Sequence, residues 1–438
     1  MDAAGETRVF ENDQSVCQFL HYGYVTGGKI DLPISVEEDT RDRKSSRHPV
    51  SLHALVCEGI DKLSGACEAM LKVSANAAMH VVPISGGMDS RAILGGLLQT
   101  VEASHIQTVT FGTPGTWDFE IGRLVAEEAG VANTRIDLSK VSWDSQALVR
   151  FAGECERPVP LFEGYLFHLM RIRFGRECVY WSGFMGEALT GLHLPPRSST
   201  SWAQARSHFM AWNRFAHSVN LLPPYIQLED SLRASPLYGS GILSYDDQLD
   251  FGVRQQCYIK PIVLLRGYRY RTPFLHPAWV SFILGVPRTY REKQFLYKEV
   301  LKSAYPKLFS LPVKNNYGLP LASPRWRQIL RRQGLRMRAA AKRFVPWIHW
   351  GTSASINYID FDRGLRERRD LKGVVCESVQ DLKKRGVVDW IDIDAIWDRH
   401  QKRRGNHADA LTLLASLEIN LKAQEKQAQC GSYISPVL

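Results

Sequence analysis

Apolar positions along this chain switch period several times, and each switch predicts an element. From Leu52 to about Val73 they recur at helical spacing, at Leu55, Ile60, Leu63, Ala66 and Met70, which predicts a helix. Met79 to Ile84 is a short apolar run of the kind a buried strand gives. An apolar-periodic stretch from Asp89 to about Gln99 predicts the next helix, and Ile106 to Phe111, closed by Gly112, the next strand. Thr116-Trp117-Asp118-Phe119-Glu120 opens a helix with acidic residues at its positive end, and Gly130 stops it. Thr134 to Leu138 reads as a third strand, helices follow around Trp143 to Gly153 and Phe162 to Phe174, and Glu177 to Trp181 reads as a fourth strand.

Strand and helix in alternation predict an α/β fold, a parallel sheet flanked by helices. Ligands in such sheets bind beyond the strand carboxyl ends. Ser85, Phe111 and Ser182-Gly183 all fall at such ends and are expected to share one site. Segment 197–255 is polar, carries Pro223-Pro224, and reads as an insertion or helical pair outside the sheet. Beyond Trp347 the pattern is helical, with elements expected from Asp389 and from Asp409 to Leu421, then a loose tail from Cys430 to Leu438. The expected division is a short N-terminal segment, 1–50, a nucleotide-binding unit, 51–320, and a basic helical C-terminal region, 321–438.

The candidate chemistry starts where the first strand ends, in Ser85-Gly86-Gly87-Met88-Asp89-Ser90. The two glycines let backbone N–H groups approach a ligand without a Cβ in the way. The helix start adds roughly half an elementary positive charge. Together they make a seat for a polyphosphate. Ser85 and Ser90 add hydroxyl donors, and Asp89 is a carboxylate where a phosphate-bridging magnesium ion would sit. The spacing is not that of a GxxxxGK[ST] loop.

These six residues resemble the SGGxDS pyrophosphate loop of the asparagine synthetase family. Three further stretches resemble that family's elements in the same order. Ser182-Gly183-Phe184-Met185-Gly186-Glu187-Ala188-Leu189-Thr190-Gly191 resembles SGEGxDExFxGG, with Glu187 where the family has a magnesium-binding Asp. Phe184 stands where asparagine-forming members have Glu and β-lactam-forming relatives Tyr, so it offers no group for proton removal. Arg271-Thr272-Pro273-Phe274-Leu275-His276 resembles RxPFLD, with His276 for the Asp, and Arg271 is read as pairing with a carboxylate near the site. Lys293 and Lys314, with their neighbours Phe295-Leu296 and Asn315-Asn316-Tyr317-Gly318, resemble GKxxLR and RxKxGF.

The resemblance implies an adenine nucleotide α-hydrolase-like, PP-loop ATP pyrophosphatase fold with a helical C-terminal extension. The implied activity is ATP-dependent and AMP-forming. A carboxylate is adenylated and an amine or ammonia then displaces AMP. Implied cofactors are ATP and Mg²⁺, with Asp89 and Glu187 on the metal. Ser85, Gly86, Gly87, Asp89, Ser90, Phe111, Ser182 and Gly183 would hold the nucleotide, and Lys314, Lys293 and Arg271 would act in catalysis. Glutamine-using members carry Cys after the initiator; position 2 here is Asp2, so ammonia from a glutaminase domain in the same chain is not expected. A partner subunit, free ammonia or an amine on the substrate would supply the nitrogen, the last as in β-lactam synthetases and lasso-peptide cyclases.

Composition adjusts this picture little. The 438 residues are 45% hydrophobic and 23% charged, an ordinary globular balance. Eight cysteines with no CxxC pair exclude a zinc ribbon and fit a reducing compartment. No window is long enough to span a membrane and none reads as a signal peptide, so the expectation is a cytoplasmic protein with no membrane partner. The net charge of +10 also suits nucleic acid. A tRNA-modifying enzyme with a similar loop is therefore the competing reading, and a non-catalytic relative acting as a partner protein is the third. Arg325 to Arg343 is strongly basic and helical in pattern, and is read as a solvated face or a site for an acidic partner.

Overall fold

A computed structural model describes residues 9–10, 12–35, 51–74, 77–344 and 353–431. The charged stretch Glu37 to His48 and the tail beyond residue 431 lie outside the described residues. Five parallel strands make one sheet in the order β3-β2-β1-β4-β5: β1 (His80–Pro83), β2 (Ile106–Gly112), β3 (Ala132–Asp137), β4 (Val179–Trp181) and β5 (Arg269–Arg271). β1 is central, pairing His80 with Ile106 of β2 on one side and with Val179 of β4 on the other.

Side chains alternate across the sheet, as strand geometry requires. Val82, Ile106, Val179 and Trp181 enter one core, against helices Leu52–Lys72, Asp89–Leu97, Pro277–Gly285 and Phe295–Ala304. Val81, Val109, Phe111 and Tyr180 face the other side, against Leu166 and Met170 of helix Leu161–Phe174. The four expected strands are present within one to two residues of their predicted ends, and the helix Trp117–Ala129 stops at Gly130 in a left-handed conformation. The fifth strand has only three residues, Arg-Tyr-Arg, half-buried or exposed at the sheet edge, so it carries no apolar run to announce it.

The C-terminal helices are not an appendage. Leu371, Val375, Val379 and Leu382 of Arg369–Arg385 and the buried face of Ala408–Gly431 share a core with Leu148, Phe151 and Phe162. Phe19 and Leu20 of the N-terminal helix Asp13–Tyr22 enter the same core. The insertion builds a separate cluster, in which Trp202, Phe209 and Leu249 pack on Tyr22, Tyr24 and Ile30. Among the described residues no helix is long and apolar enough to cross a membrane.

Candidate functional site

Strand order reverses at β1. The chain runs outward through β2 and β3, then returns to place β4 and β5 on the other side. The crevice beyond the carboxyl ends of β1 and β4 is therefore the switch point where open α/β sheets bind ligands. The Ser85–Ser90 turn follows β1 and the Ser182–Gly191 loop follows β4, so the two glycine-bearing loops face each other there.

Part of the first loop is satisfied internally. Ser85 N–H donates to Ser90 Oγ at 3.4 Å and Gly87 N–H to Ser85 Oγ at 3.2 Å. Gly86 N–H donates to Asp118 Oδ1 at 3.1 Å. The helix Asp89–Leu97 then begins with Met88 at its N-cap and no side chain capping it. First-turn N–H groups lack intrahelical acceptors, so this end keeps its appetite for an anion.

Asp89 is wedged into the opposite loop. A Cβ on Gly186 would lie 2.3 Å from Asp89 Oδ2, and one on Gly183 would lie 2.8 Å from Asp89 Cβ. Only glycine permits this approach. Tyr297 O–H donates to Asp89 Oδ1 at 2.9 Å. Burial first, and then the negative charge of Glu187, hold the Asp89 carboxyl well above the usual carboxylate range. Glu187 Oε1 accepts from Asn315 Nδ2 at 3.0 Å. Two carboxylates thus share a corner with neutral donors as their hydrogen-bond partners. A hard divalent cation fits this donor set, and magnesium is ordinarily held by one or two carboxylates plus substrate phosphates. Among the described residues no group of three or more His, Cys, Asp or Glu could hold a metal by itself, so phosphate and water oxygens would complete the shell.

Lys314 closes the third side. Its backbone N–H donates to Gly86 O at 2.7 Å. Its Nζ donates to Asp118 Oδ2 at 2.5 Å and to Asn357 Oδ1 at 2.6 Å. A Cβ on Gly86 would meet Lys314 Cβ at 3.0 Å. Arg91, fully buried on the helix after the loop, ties down the segment leading to Lys314. Its guanidinium donates to Leu308 O at 2.9 Å and to Pro312 O at 2.8 Å. Burial without a carboxylate partner lowers its pKa to about 9. Its charge also adds to the positive end of that helix.

Other expected residues are placed differently. The Arg271 guanidinium turns to Ser74 Oγ, at 2.5 Å, and Val73 O, at 3.0 Å, just past helix Leu52–Lys72, and makes no hydrogen bond to the loop. Lys293 is exposed, with φ 53°, on the segment that continues into Tyr297. Phe111 is buried against Phe167 and Tyr358, with ring centroids 5.4 and 5.5 Å away, so only its backbone reaches the strand end. Ser182 Oγ accepts from Phe184 N–H at 3.2 Å. Phe184 is 4% exposed and packs in the apolar core.

Asp118, Asn357, Tyr297 and Asn315 complete the site without having been singled out in sequence. Asp118 had a readable signal, since it opens the helix after β2 at the sheet's carboxyl edge. Asn357 leads on to a cavity of about 1190 Å³ whose walls include Trp143, Phe162, Tyr165, Arg363 and Asp409. None of the Ser85–Ser90 residues lines that cavity; it adjoins the crevice through Asn357 and Tyr358. A comparison with protein-family models finds no match to this chain, and a comparison with curated proteins finds none either.

Proposed function

We propose that this chain is an ATP-dependent, AMP- and pyrophosphate-forming amide ligase with a PP-loop ATP pyrophosphatase fold, resembling the asparagine synthetase family. The observation that carries the reading is the meeting of Asp89, Glu187 and Lys314 around one glycine turn at the β1/β4 switch point. A bound magnesium ion would supply neutralisation of phosphate charge between the two carboxylates. The uncapped helix end and the loop amides would hold the β- and γ-phosphates. A substrate carboxylate oxygen attacks the α-phosphorus, the bond to the bridging oxygen breaks, and pyrophosphate leaves. An amine then attacks the acyl carbon, AMP leaves with the bonding electron pair, and the amine proton passes to solvent or phosphate. Lys314 would steady the charge that builds on the transferring groups, worth several kcal/mol (~3) in a water-poor site.

Gly86 N–H and Lys314 Nζ are both engaged by the Asp118 carboxylate. The diphosphate would take these donors over from it. The neighbouring cavity gives room to an acid with an extended, partly aromatic body. The test is incubation with ATP, Mg²⁺ and a panel of organic and peptide acids in the presence of hydroxylamine. AMP and hydroxamate are expected together. ATP binding with no AMP across the panel would instead identify a non-catalytic relative. Copurifying RNA with a steep salt dependence of binding would identify the nucleic-acid reading.

A further inference from the structure

The helix Arg325–Phe344 is amphipathic the wrong way round for a helix that packs on its own protein. At 3.6 residues per turn, successive positions rotate by about 100°. Trp326, Ile329, Leu330 and Met337 then fall on one stripe, roughly 100° wide. All four are exposed, between 48% and 68%. Of the half-buried positions, Gln328 and Leu335 lie on the opposite side and Ala341 lies beside the stripe near the helix end, while Leu330, at the stripe's edge, also lines the cavity described above. Trp326, Ile329 and Met337 line no wall of that cavity and present an apolar stripe outward.

Arginines border that stripe on both sides. Arg327, Arg331 and Arg338 lie along one edge and Arg325, Arg332 and Arg336 along the other, and all six are exposed. Arg331 and Arg338 also edge the cavity described above. No acidic residue occurs between Arg325 and Phe344, and in sequence the basic run continues through Lys342 and Arg343.

We propose that this helix is a docking surface for an anionic lipid membrane, lying in the plane of the headgroups. An outward apolar stripe with cationic borders is the pattern of an interfacial helix, whose apolar face enters the headgroup boundary while its arginines meet lipid phosphates. A nucleic acid would use the arginines but leave Ile329 and Met337 in water. A protein groove would need acidic walls on both sides of an apolar floor, a narrower demand than a lipid surface makes. The net charge of +10 favours approach to an anionic surface. The sequence alone argued against a membrane partner because it has no spanning window; a helix that lies on the surface needs none. This inference does not depend on the proposed ligase activity.

Co-sedimentation of the full chain with phosphatidylcholine vesicles, with and without phosphatidylglycerol, tests it. Binding is expected only with the anionic lipid. Ile329→Asp combined with Met337→Asp is expected to weaken it by about tenfold or more, with an unchanged melting temperature because both side chains are exposed. Arg327→Ser with Arg336→Ser is expected to weaken it and to flatten its salt dependence. No sedimentation with anionic vesicles overturns the proposal, as does sedimentation that the aspartate pair leaves unchanged. RNA retention that survives the aspartate pair but not the serine pair, without vesicle binding, assigns the surface to nucleic acid. Self-association lost in the aspartate pair, without vesicle binding, assigns it to a second copy. Either result overturns it.

Discussion

Two corners of the crevice are built from the same kinds of groups and balanced in opposite ways. Around Gly86 the charges match, since the buried Asp118 carboxylate accepts from a backbone amide and from Lys314. Around Asp89 they clash, since burial and Glu187 both oppose its ionisation, with only the Tyr297 hydroxyl and backbone for relief. The first corner satisfies itself and would persist on structural grounds alone. The second costs stability for as long as both carboxylates are charged, and nothing in the packing requires two acids there. A buried carboxyl in a cleft whose ionisation is opposed by burial and by a second acid marks a site shaped for a ligand. The clash therefore says more about function than the ion pair does.

Removing the clash gives the largest expected effect. Asp89→Asn is expected to lower AMP formation by roughly 10³-fold or more, by loss of a metal-facing carboxylate. Its stability effect has the opposite sign. The folded carboxyl titrates well above its ordinary value of 3.8. Native protein thus binds more protons than unfolded chain as pH rises from 3.8, and stability falls until the folded group has ionised. The variant escapes that loss, so it should melt higher than wild type at neutral pH, with the gap closing as the pH approaches 3.8. Added Mg²⁺ should raise the melting temperature of wild type and leave the variant unmoved. Calorimetry across pH, with and without the metal, reads both. A variant that melts lower at neutral pH would mean that Asp89 is not under electrostatic strain.

The matched corner is sharpened by a pair of substitutions. Lys314→Met strands the Asp118 carboxylate, which is 3% exposed, and should destabilise by about 3–5 kcal/mol. It should also reduce turnover by roughly 10²–10³-fold. Adding Asp118→Asn removes the stranded charge and is expected to restore most of the stability but none of the turnover. Urea titration and single-turnover AMP release on the same samples separate the two. If the double variant recovers both, Lys314 serves folding alone.

What could be read from sequence was what is local. The glycine turn, its position after a buried strand, and the second loop after β4 each lie in one short stretch with a characteristic residue pattern, and the structure brings them to one edge of the sheet. What escaped was non-local. Asn357 meets Lys314 across 43 residues and Tyr297 meets Asp89 across 208, with no periodicity or spacing to link them. Asp118 was visible only as an acid suited to a helix start, a role that many acids fill; its second role depends on where Gly86 sits. Phe184 stands in a motif position where relatives carry a proton-moving group, and sequence could say only that it offers none; that it packs in the apolar core was not legible. Arg271 reads as a partner for a carboxylate because the residues after it resemble a motif, whereas its guanidinium goes to Ser74 Oγ and Val73 O.

Arg271 also supplies the smallest expected effect, and it marks how far the crevice extends. Its guanidinium satisfies Val73 O and Ser74 Oγ just beyond helix Leu52–Lys72, where a cation meets the negative end of the helix and carbonyls left over by the last turn. Arg271→Ala should therefore cost about 1–2 kcal/mol, the ordinary loss for such charge-assisted bonds at a half-buried site. AMP formation should stay within about twofold, since the bonds broken lie outside both corners. Arg271→Lys, which keeps the charge but not the fork, should recover part of the stability and nothing else. A tenfold fall in AMP formation with an unchanged melting temperature would put Arg271 among the groups that touch substrate, and would make the crevice a three-cornered site rather than the opposed pair described above.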